Sequence, residues 1–532
     1  MQPLDSDVAI EREQISARPS QRHIRIGGPT RLAVVAVGLT AASRVALLMS
    51  DRTSFNADEA VTGIAVRHIL HGQLYLMYPG QGYGGTLEQY LQALTYLVFR
   101  LPQNPFTLRI PLVVLDMITC WLTYLCARWM LSGRWAPAVA ALVYAVAPWF
   151  NLVGSVTSFG FYAVSQLLCA GGLYCAIRLS RAPDRPGWAV AFGLCCGFGF
   201  WTAAFTCYLL IPASLWLLPV LVHRWRAALV LVAGAIVGAL PALVWIARHH
   251  TIPLPTGSNP ATAWDRLMAL IDPVYREFLG VAFYRGSPPP ASTAWLSLPI
   301  AWLMVAVFVA AVWRRRAGLL AVARGRVSHR NGMDVLLIAV PLVVALYCVS
   351  PSGWYIGTPR YLFPIYPLLA IAAAAMVPRQ RRVAGVVGLV IVGVSATLCA
   401  QYFVAAKPLL GTAPQDAALR RVVDRLLAEH ETQVYSGYWT AMPLSYTGGG
   451  RVTVATCVGP QRFPADAAAV RAHSVLGGPV YVVNPAEPWD AQILEALQAH
   501  HVAYRTTRLG VFDVLDEIRP DGGPIELGLV PS

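Results

Sequence analysis

The sequence predicts a polytopic α-helical membrane protein of about eleven transmembrane helices, with a small C-terminal α/β domain on the extracytoplasmic side. Three observations carry this reading. Of the 532 residues, 56% are hydrophobic and only 13% are charged, where a soluble domain carries about 25% charged residues. Apolar runs of roughly 17–25 residues, each long enough to cross a hydrocarbon core, recur from residue 31 to residue 404. After residue 405 the pattern changes, and amphipathic helical stretches alternate with short strand-like runs.

Residues 1–30 form a polar tail with Arg12, Arg18, Arg22 and Arg25. The apolar stretch 31–50 lacks a convincing cleavage site, so it reads as an anchor that stays. Apolar segments follow at 85–100, 107–131, 135–152, 159–178, 188–203, 205–222, 227–247, 294–313, 335–350, 361–377 and 383–404. If all twelve segments crossed from a cytoplasmic N-terminus, the clusters at Arg178/Arg181/Arg185, Arg224/Arg226, Arg314–Arg316 and Arg379/Arg381/Arg382 would all lie outside. Holding 85–100 at the interface moves every cluster inside, as the positive-inside rule demands. That segment opens with Thr86, Glu88, Gln89 and Gln92, which suits a helix lying on or dipping into the membrane surface. Eleven crossings result, in a multi-pass plasma-membrane core spanning 31–404. The N-terminus is cytoplasmic and the C-terminus external, with long external loops at 51–106 and 248–293.

The net charge of +14 therefore records topology and does not imply a nucleic-acid partner. Nine of the ten cysteines lie in apolar segments as small hydrophobes. Cys457 alone lies in the C-terminal region, which excludes an internal disulfide there. In residues 405–532 the runs "TQVYSG", "RVTVAT", "GPVYVVN", "HVAYRTT" and "GVFDVL" alternate with helical stretches, predicting a largely parallel sheet. The stretch "TGGGRV" (447–452) precedes a strand, the wrong order for a phosphate cradle, and reads as a turn.

Asp58 and Glu59 stand just beyond the first apolar segment, in the first turn of a helix predicted to run to about His71 and to lie along the membrane. Asn56 or Asp58 can cap it. Acids there complement the helix dipole, or they supply chemistry at the membrane surface. Arg360, beside Tyr361, opens a late crossing from outside. It either snorkels as an anchor or grips an anion. Glu88 begins the interfacial segment and could reach back toward Asp58. Tyr83 lies in the glycine-rich loop before it. Asp116 falls inside the second crossing, with Arg109 or Arg44 as its structural partner. His68 and His71 lack a third ligand and read as interfacial histidines.

The Asp58-Glu59-Ala60 run, the segment "GQGYGGTLEQYL" (80–91) and the stretch "TPRYLFPIYPLLAI" (358–371) together resemble the GT-C membrane glycosyltransferases. That group includes protein O-mannosyltransferases and the lipid A aminoarabinose transferases. The resemblance implies an eleven-helix core with a catalytic external loop and a donor sugar carried on a polyprenyl phosphate. An acceptor hydroxyl attacks the anomeric carbon with inversion. Asp58 matches the catalytic aspartate by position and would be the general base. Glu59 would position the helix or contact the acceptor. Arg360, with Tyr361, would bind the leaving phosphate, and Glu88 and Tyr83 form a second tier of substrate-binding candidates.

Oligosaccharyltransferases of this class hold a divalent ion on acids of a second external loop. Here that loop, "NLVGSVTSFGF" (151–161), has no acid, so neither metal nor cofactor is expected. The acceptor, whether protein, lipid or glycan, stays open. The competing classes are a transporter or lipid flippase, which would show repeats and midplane polar groups, and a non-catalytic assembly scaffold. No repeat is visible, and the acids cluster outside.

Overall fold

The computed structural model describes residues 27–50, 55–254, 261–282, 332–349, 359–405, 413–519 and 523–529, with isolated positions between 295 and 320. The chain runs through α1 (Gly28–Leu48), α2 (Ala57–Leu70), α3 (Leu87–Phe99), α4 (Pro105–Met130), α5 (Ala136–Ala145), α6 (Trp149–Gly154) and α7 (Tyr162–Arg181). It continues through α8 (Pro186–Thr202), α9 (Cys207–His223), α10 (Trp225–His249), α11 (Ala263–Ala269), α12 (Asp334–Val349), α13 (Tyr366–Ala374) and α14 (Arg381–Ala405). Among the described residues, six helical stretches are long and apolar enough to cross a membrane: α1, α4, α7, α9 with the turn before it, α10 and α14. Helices α5 and α12 are apolar but shorter. The predicted segment 135–152 is broken where Pro148 separates α5 from α6. Residues 294–313 fall largely outside the described residues.

Small residues set the closest helix packing. Gly193 and Gly197 of α8 face Gly234 and Gly238 of α10. A Cβ at any of the four would run into the other helix's backbone. Without a hydrophobic driving force between helices in lipid, such close backbone approach is what drives association.

The basic clusters gather at one end of the bundle. Arg181 Nη2 donates to Trp129 O at 3.0 Å, Arg379 Nη2 to Ser132 Oγ at 2.9 Å, and Gly28 abuts Trp135. Arg224 pairs with Asp184 at 3.0 Å. The other end carries α2, α3 and the C-terminal domain.

Helix α3 is short, buries Glu88, Gln89 and Gln92, and exposes Leu94, Leu97, Val98 and Phe99, a form suited to dipping into lipid from one side. Helix α2 departs from the expected surface helix. Nine of its residues are buried, eight of them in an unbroken run from Glu59 to Val66. It is wedged between the helical body and the C-terminal domain. The Tyr446 ring takes the space beside Gly63 and packs on Phe55 at 4.9 Å, and Arg67 Nη2 donates to Tyr446 O at 3.0 Å. A helix enclosed on every side cannot lie on lipid.

The C-terminal domain contains α15 (Ala413–Ala428), β1 (Gln433–Gly437), α16 (Tyr438–Thr447), β2 (Thr453–Val458), α17 (Pro464–Gly477), β3 (Tyr481–Val483), α18 (Pro488–Ala499), β4 (Ala503–Leu509) and β5 (Phe512–Arg519). Strand order is β2-β1-β3-β5-β4. Strands β1, β2 and β3 are parallel, but β5 runs antiparallel to both β3 and β4. The sheet is therefore mixed, not largely parallel. Only two residues, Gly510 and Val511, separate β4 from β5, and Gly510 has φ +72°. A two-residue link of that kind closes a hairpin and leaves no room for a crossover. The stretch 447–452 is a turn between α16 and β2, with Gly449 and Gly450 at positive φ.

Candidate active site

Helix α2 begins with Asn56, whose side chain accepts from Glu59 N at 3.0 Å. Asn56 is therefore the cap, and the Asp58 carboxylate is left for other contacts. Successive residues on a helix point about 100° apart, and the two neighbouring acids meet opposite surroundings.

Glu59 faces the helical body and is fully buried. Arg109 of α4 holds it as a fork, Nε to Oε1 at 2.8 Å and Nη2 to Oε2 at 2.5 Å, and Ser158 N donates to Oε1 at 2.9 Å. This carboxylate is enclosed by its partners and cannot meet an acceptor substrate. Its place in the structure is to fix α2 on α4.

Asp58 faces the C-terminal domain. Tyr438 OH donates to its Oδ1 at 2.6 Å. Arg360 Nη2 lies 3.6 Å from its Oδ2, and the two side chains remain 24% and 20% exposed. The structure thus brings together two residues some 300 positions apart in sequence. Tyr78 OH donates to the Asp58 backbone carbonyl at 2.6 Å, which helps hold this turn. The Arg360 guanidinium lies over Phe159 at 5.0 Å and Tyr162 at 5.5 Å. Tyr361 is half-buried against Phe205, ring centres 5.8 Å apart, among the aromatics beneath Arg360.

Glu88 does not reach back to Asp58. Its Oε1 accepts from Ser158 Oγ at 3.3 Å and from Gly160 N at 3.2 Å, and burial pushes its pKa up to about 8. Ser158 joins the stretch 151–161 to α2, because its carbonyl also accepts from Thr62 at 3.0 Å. That stretch, acid-free in sequence, thus offers backbone donors to both Glu59 and Glu88. Tyr83 lies on the loop before α3, half-buried, its carbonyl accepting from Gln81 at 3.0 Å.

Asp116 pairs with Arg44, Nε to Oδ2 at 2.7 Å, both buried. Tyr144 OH also donates to Asp116. Of the two partners expected, Arg44 takes Asp116, because Arg109 is already committed to Glu59. His68 Nδ1 is within 2.7 Å of Tyr75 OH.

Three side chains at the site escaped sequence reasoning: Tyr78, Tyr438 and Arg462. The last two come from the C-terminal domain. Arg462 lies over the Tyr78 ring at 5.6 Å and the Tyr438 ring at 5.5 Å. Burial, then the Asp58 charge, pushes both phenols up, so both stay protonated donors. Burial works against the Arg462 charge, but the hydrogen bond to Tyr438 and the nearby Asp58 charge hold its pKa up. No local motif marks these residues. The one available signal was the Tyr438-Trp439 pair directly after a predicted strand.

No protein-family model matches the chain. Over 292 residues, 52% of the chain, it is 28% identical to the undecaprenyl phosphate-alpha-4-amino-4-deoxy-L-arabinose arabinosyl transferase of Pseudomonas aeruginosa, and the match spans 47% of that relative, about half its length. In three dimensions it is similar to ArnT from Cupriavidus metallidurans, solved bound to undecaprenyl phosphate. The TM-score is 0.58 at 13% identity, over 93% of this chain and 99% of that one. It is also similar to the apo oligosaccharyltransferase of Archaeoglobus fulgidus, with TM-score 0.54 at 12% identity, over 88% of this chain and 71% of that one. The chain shares the fold of these structures. With its apolar spans it is a multi-pass membrane protein with a small C-terminal sheet domain.

Proposed function

We propose that the chain is an inverting glycosyltransferase that moves a sugar from a polyprenyl-phosphate donor to an acceptor hydroxyl at the extracytoplasmic face. The carrying observation is the meeting of Asp58 and Arg360, Oδ2 to Nη2 at 3.6 Å, where the helical body meets the C-terminal domain. The GT-C fold and the aminoarabinose-transferase relative support the same reading.

In this mechanism Arg360 takes the phosphate of the donor through its planar fork of donors. A phosphate drawing Arg360 toward itself frees Asp58 Oδ2 to accept the proton of the attacking hydroxyl. The hydroxyl oxygen bonds to the anomeric carbon, and the bond from that carbon to the phosphate oxygen breaks. The electron pair leaves with the lipid phosphate, whose charge Arg360 neutralises. Asp58 is the base and Arg360 the phosphate ligand. Tyr361 supports Arg360 through the aromatic group beneath it, and Glu59 holds the helix that presents Asp58. Neither metal nor cofactor enters this scheme. The topology that suits it places the Arg-rich end in the cytoplasm and the C-terminal domain outside.

The test is sugar transfer from a polyprenyl-phosphate donor by the purified full chain and by Asp58→Asn. General-base loss predicts a rate lower by about 10²–10⁴, with membrane expression and thermal stability unchanged. Undiminished transfer by that variant defeats the assignment.

A further inference from the structure

We propose that Arg462 of the C-terminal domain is a second ligand for the donor's phosphate, so that the donor site is built from both halves of the protein. This deepens, and rests on, the reading of Asp58 and Arg360 as the donor site.

Glu59 and Arg109 form a closed neutral pair. Among the described residues, the charges that face Asp58 are two guanidiniums, Arg360 and Arg462. Arg462 forms no ion pair among the described residues. Its Nη1 donates to Gln81 Oε1 at 2.8 Å and more weakly to Pro79 O at 3.5 Å, both neutral. Its Nε is buried without a partner. The nearby Asp58 charge and Tyr438 favour the charged guanidinium, but Asp58 is shared with Arg360 and the buried Nε is left without an acceptor, an unmade hydrogen bond that costs free energy. An anion at this position would satisfy it.

Geometry places that anion at the reaction site. Arg462 covers two rings, Tyr78 and Tyr438, and each of these donates a hydrogen bond to Asp58. The loop before α3 is shaped to receive Arg462. Gly80 has φ +68°, and a Cβ there would come within 2.6 Å of Arg462 Cα. Only glycine allows this approach.

Asp490 anchors the domain's share of the site from behind. Its Oδ1 accepts from Gly437 N at 2.8 Å, next to Tyr438, and its Oδ2 from Thr440 at 2.6 Å and Asn484 N at 2.8 Å. The strand end carrying Tyr438 is thus held rigidly. A phosphate between Arg360 and Arg462 would be gripped by the helical body on one side and the C-terminal domain on the other. Phosphate binding and domain docking would then stabilise each other.

The same chemistry could serve a phosphate on the acceptor, and the experiment separates the two sources. Undecaprenyl phosphate binding is measured on the detergent-solubilised full chain, by titration calorimetry, for wild type, Arg462→Gln, Arg462→Lys and Arg360→Gln. Undecaprenol and inorganic phosphate are the control ligands. Loss of a charge-assisted contact predicts that Arg462→Gln weakens undecaprenyl phosphate binding about tenfold or more. Arg462→Lys should recover part of the loss, and undecaprenol binding should not change. A strut that merely docks the domain would lower thermal stability and leave phosphate affinity intact. That result overturns the proposal, as does weakened binding of inorganic phosphate with undecaprenyl phosphate unaffected, which would move the site to the acceptor. If Arg360→Gln weakens binding and Arg462→Gln does not, only the Arg462 assignment falls. If neither changes it, the donor-site reading itself falls.

Discussion

The interior of the helical body and the end that carries the C-terminal domain both join arginine to carboxylate, but in two different ways. Arg44 with Asp116 and Arg109 with Glu59 meet at 2.7 and 2.5 Å, with side chains no more than 6% exposed. Arg360 and Asp58 meet at 3.6 Å with about a fifth to a quarter of each side chain exposed. In the first kind, forked or converging donors occupy the carboxylate, and removing one partner strands a buried charge. In the second kind the pair is looser and partly exposed, as the proposed exchange for substrate requires. Asp58 and Glu59 are neighbours in sequence, so the environment, not the residue type, separates an enclosed acid from the one proposed to react.

The contrast is broken most directly by paired substitutions. Asp58→Asn should lose about 10²–10⁴ in transfer rate and keep its melting temperature. Glu59→Ala should do the reverse first, destabilising the solubilised protein by about 3–5 kcal/mol, as expected when one partner of a buried ion pair is removed. Thermal unfolding alongside single-turnover transfer checks both, and a stable, inactive Glu59→Ala would erase the distinction.

A smaller effect is expected at Tyr438, which donates one hydrogen bond to Asp58. Tyr438→Phe should reduce transfer by no more than about tenfold, in line with a single hydrogen bond of roughly 0.5–1.5 kcal/mol. A loss as large as that of Asp58→Asn would make Tyr438 a participant in the chemistry and not an orienting group.

Glu88 sharpens the comparison through pH. Burial raises its pKa from 4.5 to about 8, so the folded protein binds this proton more tightly than the unfolded chain. Its contribution to stability is fully present below about pH 4.5 and is lost as pH rises through about 8. Glu88→Gln should flatten that part of the stability profile, read as melting temperature in detergent across the window. An unchanged slope would assign the pH dependence elsewhere. The smallest expected effect is none at all: chelation should leave transfer intact, and activity lost to chelator and restored by manganese or magnesium would contradict the metal-free scheme.

Much of the helical body was legible because lipid imposes a simple rule, apolar length with arginine on one side. The same rule separated the interfacial stretch from the spanning ones, since Glu88, Gln89 and Gln92 at the start of α3 do not fit a crossing. The breaks were harder to see. Pro148 divides one predicted span, and the two-residue link at Gly510 turns the last strands into a hairpin. Placement alone gives Asp58 and Arg360 structural readings as plain as the functional ones, a first-turn helix acid and a snorkelling anchor, and only the resemblance carried by 58–60 and 358–371 singles them out.

Composition, charge placement and local spacing, all properties of short stretches, thus determined from the sequence alone that this is a membrane-spanning helical protein with a C-terminal sheet domain and a charged patch beside α2. Which acid is enclosed, which arginine takes Asp116, and that Tyr438 and Arg462 reach across to Asp58 were decided only by tertiary structure. Those facts depend on contacts between residues 50 or more positions apart, for which neither hydrophobic period nor helix capping leaves a trace in the neighbouring sequence.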